Sequence, residues 1–103
     1  MTGVQSCALP IFVPEVVVDN SLSNRFTVIE ISGLDRPGLL YELTTAIGKL
    51  NLNIASAHIV TFGEKAVDVF YVTDLTGGKV SHLTRQATIR RTLLDLFGAR
   101  EAA

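Results

Sequence analysis

Between residues 14 and 97 the chain switches between two hydrophobic periods, and the switches divide it into elements. Residues 14–19 (P-E-V-V-V-D) are a short β-branched run with the character of an edge strand. A polar turn over residues 20–24 leads into residues 25–32 (R-F-T-V-I-E-I-S), where Phe26 and Val28 share one face and Ile29 and Ile31 the other. From Leu39 the period lengthens: Leu39, Leu40, Leu43, Ala46, Ile47 and Leu50 lie on one side of a helix. The pattern predicts that this helix starts at Pro37, because a proline's missing N–H has no partner at the first helical position anyway. Asn51-Leu52-Asn53 closes it, asparagine being tolerant of the left-handed conformation that ends helices. Alternation returns over residues 54–62 and 65–73, joined through Gly63-Glu64, a hairpin signal. After the loop 74–79, Ser81 can cap a second helix over residues 82–97, with Leu83, Gln86 or Ala87, Ile89, Leu93, Leu94 and Phe97 as its stripe and Gly98 as its stop.

The order is β-β-α-β-β-α. Four such strands and two helices predict an α+β fold, a two-layer ferredoxin-like sandwich with both helices on one face of a four-stranded antiparallel sheet. A right-handed crossover from the second strand through the first helix to the third places the fourth strand between them, with the first strand at the opposite edge. In the fourth strand Phe70 and Val72 alternate with Val67, Val69 and Tyr71, so both faces of the sheet are apolar. Helices cover one face; the other calls for a second copy or a neighbouring domain. The domain is expected over residues 14–98, with a frayed tail at 99–103. Residues 1–13 carry no charge and no periodicity and lack the form of a signal peptide. They read as a non-native or disordered leader, which leaves Cys7 without a role.

Composition narrows the function. A chain of 103 residues with formal charge −1 offers no electrostatic footprint for nucleic acid. A single cysteine rules out an intrachain disulfide or a cysteine metal cluster and suits a cytoplasmic setting. No apolar run reaches the roughly 20 residues of a membrane span. There is no nucleophile–base pair, no paired carboxylates and no phosphate loop, and His58 and His82 lack metal-ligand spacing, so no residue here is read as catalytic or metal-binding.

What remains is the turn between the second strand and the first helix, G-L-D-R-P-G-L-L. A helix start offers free N–H groups that can hold a carboxylate. Asp35 is the better chemical cap of Asp35 and Arg36. Arg36 is read as a solvated side chain or an effector clamp, and Asn53 as a helix terminator or a ligand contact. Asp68 is expected to face solvent or to pair across the hairpin, His58 to be half-buried in the sheet, and Glu42 and Arg90-Arg91 to be helix surface.

The segments L-D-R-P-G-L-L-Y-E-L, N-L-N-I-A-S-A-H-I and G-E-K-A-V-D-V-F-Y-V-T-D resemble ACT domains, the small-molecule-sensing modules of amino-acid metabolism. The runs V-V-V-D-N-S-L-S-N-R-F-T-V-I-E-I-S and A-V-D-V-F-Y-V-T-D bring the chain nearest to the C-terminal ACT domains of the bifunctional protein-PII uridylyltransferase/uridylyl-removing enzymes. The resemblance implies an effector site between two domains. One domain would contribute Leu34, Asp35, Arg36, Pro37, Gly38 and Leu39, and the other Asn53 and Ile54. It implies glutamine as the effector, a second ACT domain or self-association through the sheet, and the PII protein as a partner of a longer parent. That parent's nucleotidyltransferase and phosphohydrolase domains would use Mg, and this stretch would need no cofactor. The competing reading is an effector-independent dimerisation or docking module.

Overall fold

The computed structural model describes residues 13–102, with side chains described as far as Phe97. The expected leader and Cys7 therefore lie outside the described residues, apart from Val13. The elements are β1 (Glu15–Asp19), β2 (Thr27–Leu34), α1 (Leu39–Lys49), β3 (Leu52–Phe62), β4 (Lys65–Asp74) and α2 (Leu83–Ala102). They form a four-stranded sheet in the order β1-β2-β4-β3, every pair antiparallel. This is the ferredoxin-like ββαββα sandwich that the hydrophobic pattern predicts, with β4 slotted between β2 and β3.

Alternation decides which side chains the helices cover. Ile29 lies opposite Phe70, and Ile31 opposite Asp68. Ile29, Ile31, Phe70 and Val72 are buried, together with Val16 from β1. Onto this face α1 sets Leu39, Leu43, Ala46 and Ile47, and α2 sets Ile89, Leu93 and Phe97. Each fully buried aliphatic or phenyl side chain contributes about 1.5–3 kcal/mol of transfer free energy, so this layer is what orders the sheet. Gly33 is needed for close approach: a Cβ there would sit 2.6 Å from a carbon of the Phe97 ring. The β1–β2 loop is latched to the segment before α2, where Asn20 Nδ2 donates to the Val80 carbonyl (2.7 Å) and the Thr27 hydroxyl accepts from the Val80 amide (2.8 Å).

β2 lies two residues later than expected and β3 starts two residues earlier, and three helix boundaries differ from the sequence expectation, each for a local reason. Helix α1 begins at Leu39 rather than Pro37, because Gly38 takes φ +79°, outside the right-handed region, and so stands at the cap itself. Gly98 does not end α2, nor do residues 99–102 leave the helix. One glycine disfavours a helix by only about 1 kcal/mol, and the Ala-Arg-Glu-Ala that follows favours it. The first helical hydrogen bond of α2 runs from the Gln86 amide to the His82 carbonyl (3.0 Å), so His82, not Ser81, stands at its start. Asn51 behaves as expected, closing α1 at φ 63° with its amide donating to the Gly48 carbonyl (3.0 Å).

Candidate functional site at the strand–helix turn

The turn is built from backbone. The Asp35 amide donates to the Glu64 carbonyl (2.7 Å), which ties the end of β2 to the β3–β4 hairpin. The Leu39 amide then donates to the Arg36 carbonyl (3.1 Å), and Gly38 swings the chain into α1. The Glu42 amide takes the Gly38 carbonyl as the first helical acceptor (3.0 Å). Among the described residues the amides of Leu40 and Tyr41 donate to nothing in the chain. No side chain caps the helix: the Asp35 carboxylate accepts instead from the adjacent Arg36 amide (2.9 Å). The capping role expected of Asp35 is therefore corrected, while the free amides expected at this helix start are present.

Leu34, Asp35, Arg36 and Pro37 line a shallow concavity of about 570 Å³ together with Gly63 and Glu64. The hairpin residues were missed by sequence reasoning, since nothing local to Gly63-Glu64 says that it returns to the β2 end. Arg36 is neither solvated nor free. Its guanidinium makes two 2.9 Å hydrogen bonds to the Glu42 carboxylate and reaches the Leu96 carbonyl at 3.4 Å. The pair is partly buried and bidentate, the geometry in which such pairs are strongest. It joins the turn to both helices, and Glu42 is thereby more than helix surface.

Asn53 and Ile54 are not in this concavity. They lie opposite Thr73 and Val72, at the start of β3, whereas the turn adjoins the other end, where Phe62 lies opposite Lys65 and Leu34 opposite the same Lys65. The residues from Ile54 to Phe62 span roughly 25 Å at strand rise. Within one domain the two sets of residues stand at opposite ends of the sheet.

Between them runs an edge strand of unusual openness. β3 is 11 residues long, carries no charged residue, and is exposed at every position after Leu52. Ile59 (44 % exposed) lies on the helix-facing side, and Val60 (45 %) and Phe62 (63 %) on the other. The open face also bears a ladder of rings: Phe26 and Tyr71 at 6.3 Å, and Tyr71 and His58 at 5.6 Å, both edge-to-face. His58, expected half-buried, is exposed beside Tyr71.

Asp68 departs most from expectation. It faces the helices, between Ile31 of β2 and Ile59 of β3, and is only 3 % exposed. Its Oδ1 is buried without a hydrogen-bond partner among the described residues. Burial pushes its carboxyl above the usual carboxylate range, and the Asp35 charge pushes it the same way. An aspartate within an alternating apolar strand (V-D-V-F) was the available signal, and alternation alone could not say which face the helices would cover. Among the described residues no group of acidic, histidine or cysteine side chains could hold a metal ion, and no helix is long and apolar enough to cross a membrane.

Comparison with known proteins agrees with this architecture. The family model of the ACT domain matches residues 27–88. The bifunctional uridylyltransferase/uridylyl-removing enzyme of Rhodopseudomonas palustris is 66 % identical over 90 residues, covering 87 % of this chain and 10 % of that protein. The enzyme of the same name from Bradyrhizobium diazoefficiens is 60 % identical over 100 residues, 96 % of this chain and 11 % of that one. That of Nitrobacter hamburgensis is 63 % identical over 90 residues, 87 % and 10 %. The chain spans about a tenth of the length of the curated relatives it matches.

Proposed function

The chain belongs to the ACT domain family, and from that premise we propose that it is an amino-acid-sensing regulatory module, with glutamine as its effector. It acts as part of a cytoplasmic protein-PII uridylyltransferase/uridylyl-removing enzyme. The catalytic chemistry, any Mg it uses and the contact with the PII protein belong to other parts of that enzyme. The observation that carries the reading is the separation of the two half-sites by the length of β3. The amides of Leu40 and Tyr41 and the Asp35 carboxylate stand at one end, and Asn53 and Ile54 at the other.

Pairing two such domains antiparallel through their β3 edges sets the start of one strand beside the end of the other. Asn53 and Ile54 of one domain then reach the turn 34–39 of its neighbour. The open row of backbone groups and the lack of charge on β3 favour that pairing. In the crevice so formed, helix N–H groups take the effector's carboxylate, Asp35 takes its ammonium, and Asn53 donates to or accepts from its side-chain amide. Differing affinity for two states of the assembly is what moves a catalytic equilibrium elsewhere.

Calorimetry with glutamine on the intact protein, combined with light scattering, tests this. Saturable heat is expected, weakened about tenfold or more by Asp35→Ala and by Asn53→Ala, the loss of a charge-assisted hydrogen bond. Association indifferent to every amino acid would instead make the domain a docking module without an effector.

A further inference from the structure

Both helices lie on one face of the sheet, and pairing through the β3 edge leaves the other face bare. That bare face is largely apolar. Val67, Val69 and Tyr71 run down its middle on β4, each half-buried. Leu34 (43 % exposed) stands beside them on β2, and Val60 and Phe62 on β3. A contiguous apolar patch of this kind marks an interaction surface.

The polar groups on this face show what fits it. Glu30, Val69 and His58 form one row across β2, β4 and β3. Glu30 and His58 are both exposed, one on each side of β4. Two strand spacings, roughly 10 Å, separate them, so they do not meet within one chain. The His58 ring packs edge to face on Tyr71 at 5.6 Å, and among the described residues neither it nor the Glu30 carboxylate has a hydrogen-bond partner. Leu34 and Phe62 repeat the arrangement at the hairpin end, with Lys65 between them.

We propose that this face is an interface between two copies of the chain, packed sheet on sheet about a two-fold axis that runs along β4. Such an axis lays β2 of one copy over β3 of the other. Each Glu30 carboxylate then accepts from the His58 ring of the second copy, and each Leu34 packs on the second copy's Phe62. The contact is made twice, as in any isologous interface. Facing sheets stand about 10 Å apart, a gap that a glutamate and an imidazole reaching from opposite sides can close. The charge pattern selects this axis. A two-fold axis across the strands lays each strand over its own counterpart, so Glu30 meets β2 and never His58. Lys65 falls on the proposed axis but at the exposed end of β4, where its stem carries the ammonium out to water. β1, with Glu15, Val17 and Asp19, overhangs the edge of the second copy and stays outside the contact. Edge pairing through β3 only widens the sheet, so both contacts can form together.

Sedimentation of the full 103-residue chain, with charge exchange, tests this. Wild type is expected to self-associate. Glu30→Lys and His58→Glu are each expected to weaken association about tenfold or more, since each removes an attractive pair and His58→Glu sets like charges together. Both side chains are exposed, so thermal melts are expected to stay near wild type. An equimolar mixture of the two variants restores one native and one exchanged pair, and is expected to associate within about threefold of wild type. The double variant Glu30→Lys/His58→Glu is expected to recover in the same way. Association unchanged in both single variants assigns the dimer to the β3 edge and overturns the sheet-on-sheet contact. A mixture as weak as its components overturns the axis along β4, and a monomeric wild type overturns the interface itself. Glutamine takes no part in the contact, so each of these outcomes leaves the amino-acid-sensing reading where it was.

Discussion

The two edges of the sheet are treated in opposite ways. β1 has five residues, begins just after Pro14, and carries acidic side chains at both ends, Glu15 and Asp19. Helix α2 closes over it: Val16 is buried, and the Arg90 Nε donates to the Val16 carbonyl (3.2 Å). These are the devices by which proteins blunt an edge. β3 has none of them. It is twice as long, uncharged, and without proline or glycine, and α1 covers only its first residue. A molecule that protects one edge so thoroughly and leaves the other bare has a use for the bare one. On the function proposed above, the bare edge is where a second domain would pair.

The largest effect should come from undoing the closed side. Phe97→Ala removes the ring that lies on Gly33 and pins α2 against β2. A loss of about 3–5 kcal/mol is expected in urea unfolding, since the ring is buried and its neighbours on both elements are fixed. The same experiment on the open side should give the reverse pattern. Ile59→Lys combined with Val60→Lys puts charge on both faces of β3, where the side chains are already half in water. Stability of the isolated domain should then change by about 0.5 kcal/mol or less, while sedimentation should show association weakened by about tenfold or more through the charge placed at the edge. Val17→Lys on β1, also exposed, is the control and should leave association unchanged. Equal loss from both edges would abolish the distinction between them.

A smaller effect sharpens the comparison at the margin between covered and bare sheet. Asp68 holds its proton more tightly in the folded chain than in the unfolded one. Its ionisation therefore opposes folding. The deficit is absent in acid, grows as pH rises from the ordinary carboxyl range toward the elevated folded value, and is complete above it. Asp68→Asn should stabilise the unliganded protein at neutral pH by about 1–3 kcal/mol, and the gain should fade in acid. Chemical denaturation at both pH values measures it.

Much of this was legible from residue pattern. Spacing found all six elements, and the crossover rule their order in the sheet; a period of two separates a strand's two faces without saying which of them the helices cover. The turn 34–39 was legible as a helix start with spare amides. The remainder depended on contacts made far along the chain. Arg36 was weighed as a solvated side chain against an effector clamp, and its pairing with Glu42 went unseen because the start of that helix was placed two residues too early. The error came from giving Pro37 the first helical position when Gly38 had to take the left-handed cap. Glu64 entered the concavity through a backbone bond to Asp35, which no side-chain pattern announces. Asp68 was misjudged because one polar residue in an alternating strand reads as the wet face until the helices are in place. Glycine at 98 was overvalued as punctuation, since the residues beyond it favour helix.

The span of β3 has a last consequence. On the function proposed above, a crevice whose two walls stand about 25 Å apart in a single domain would exist only once two domains had met, and occupancy and assembly would become one linked equilibrium. Whatever factor the metabolite lends to the meeting of the domains, the meeting lends back to the metabolite's affinity. Such a sensor reports two quantities together, the concentration of a nutrient and the presence of a correctly joined neighbour, and stays silent when either is lacking.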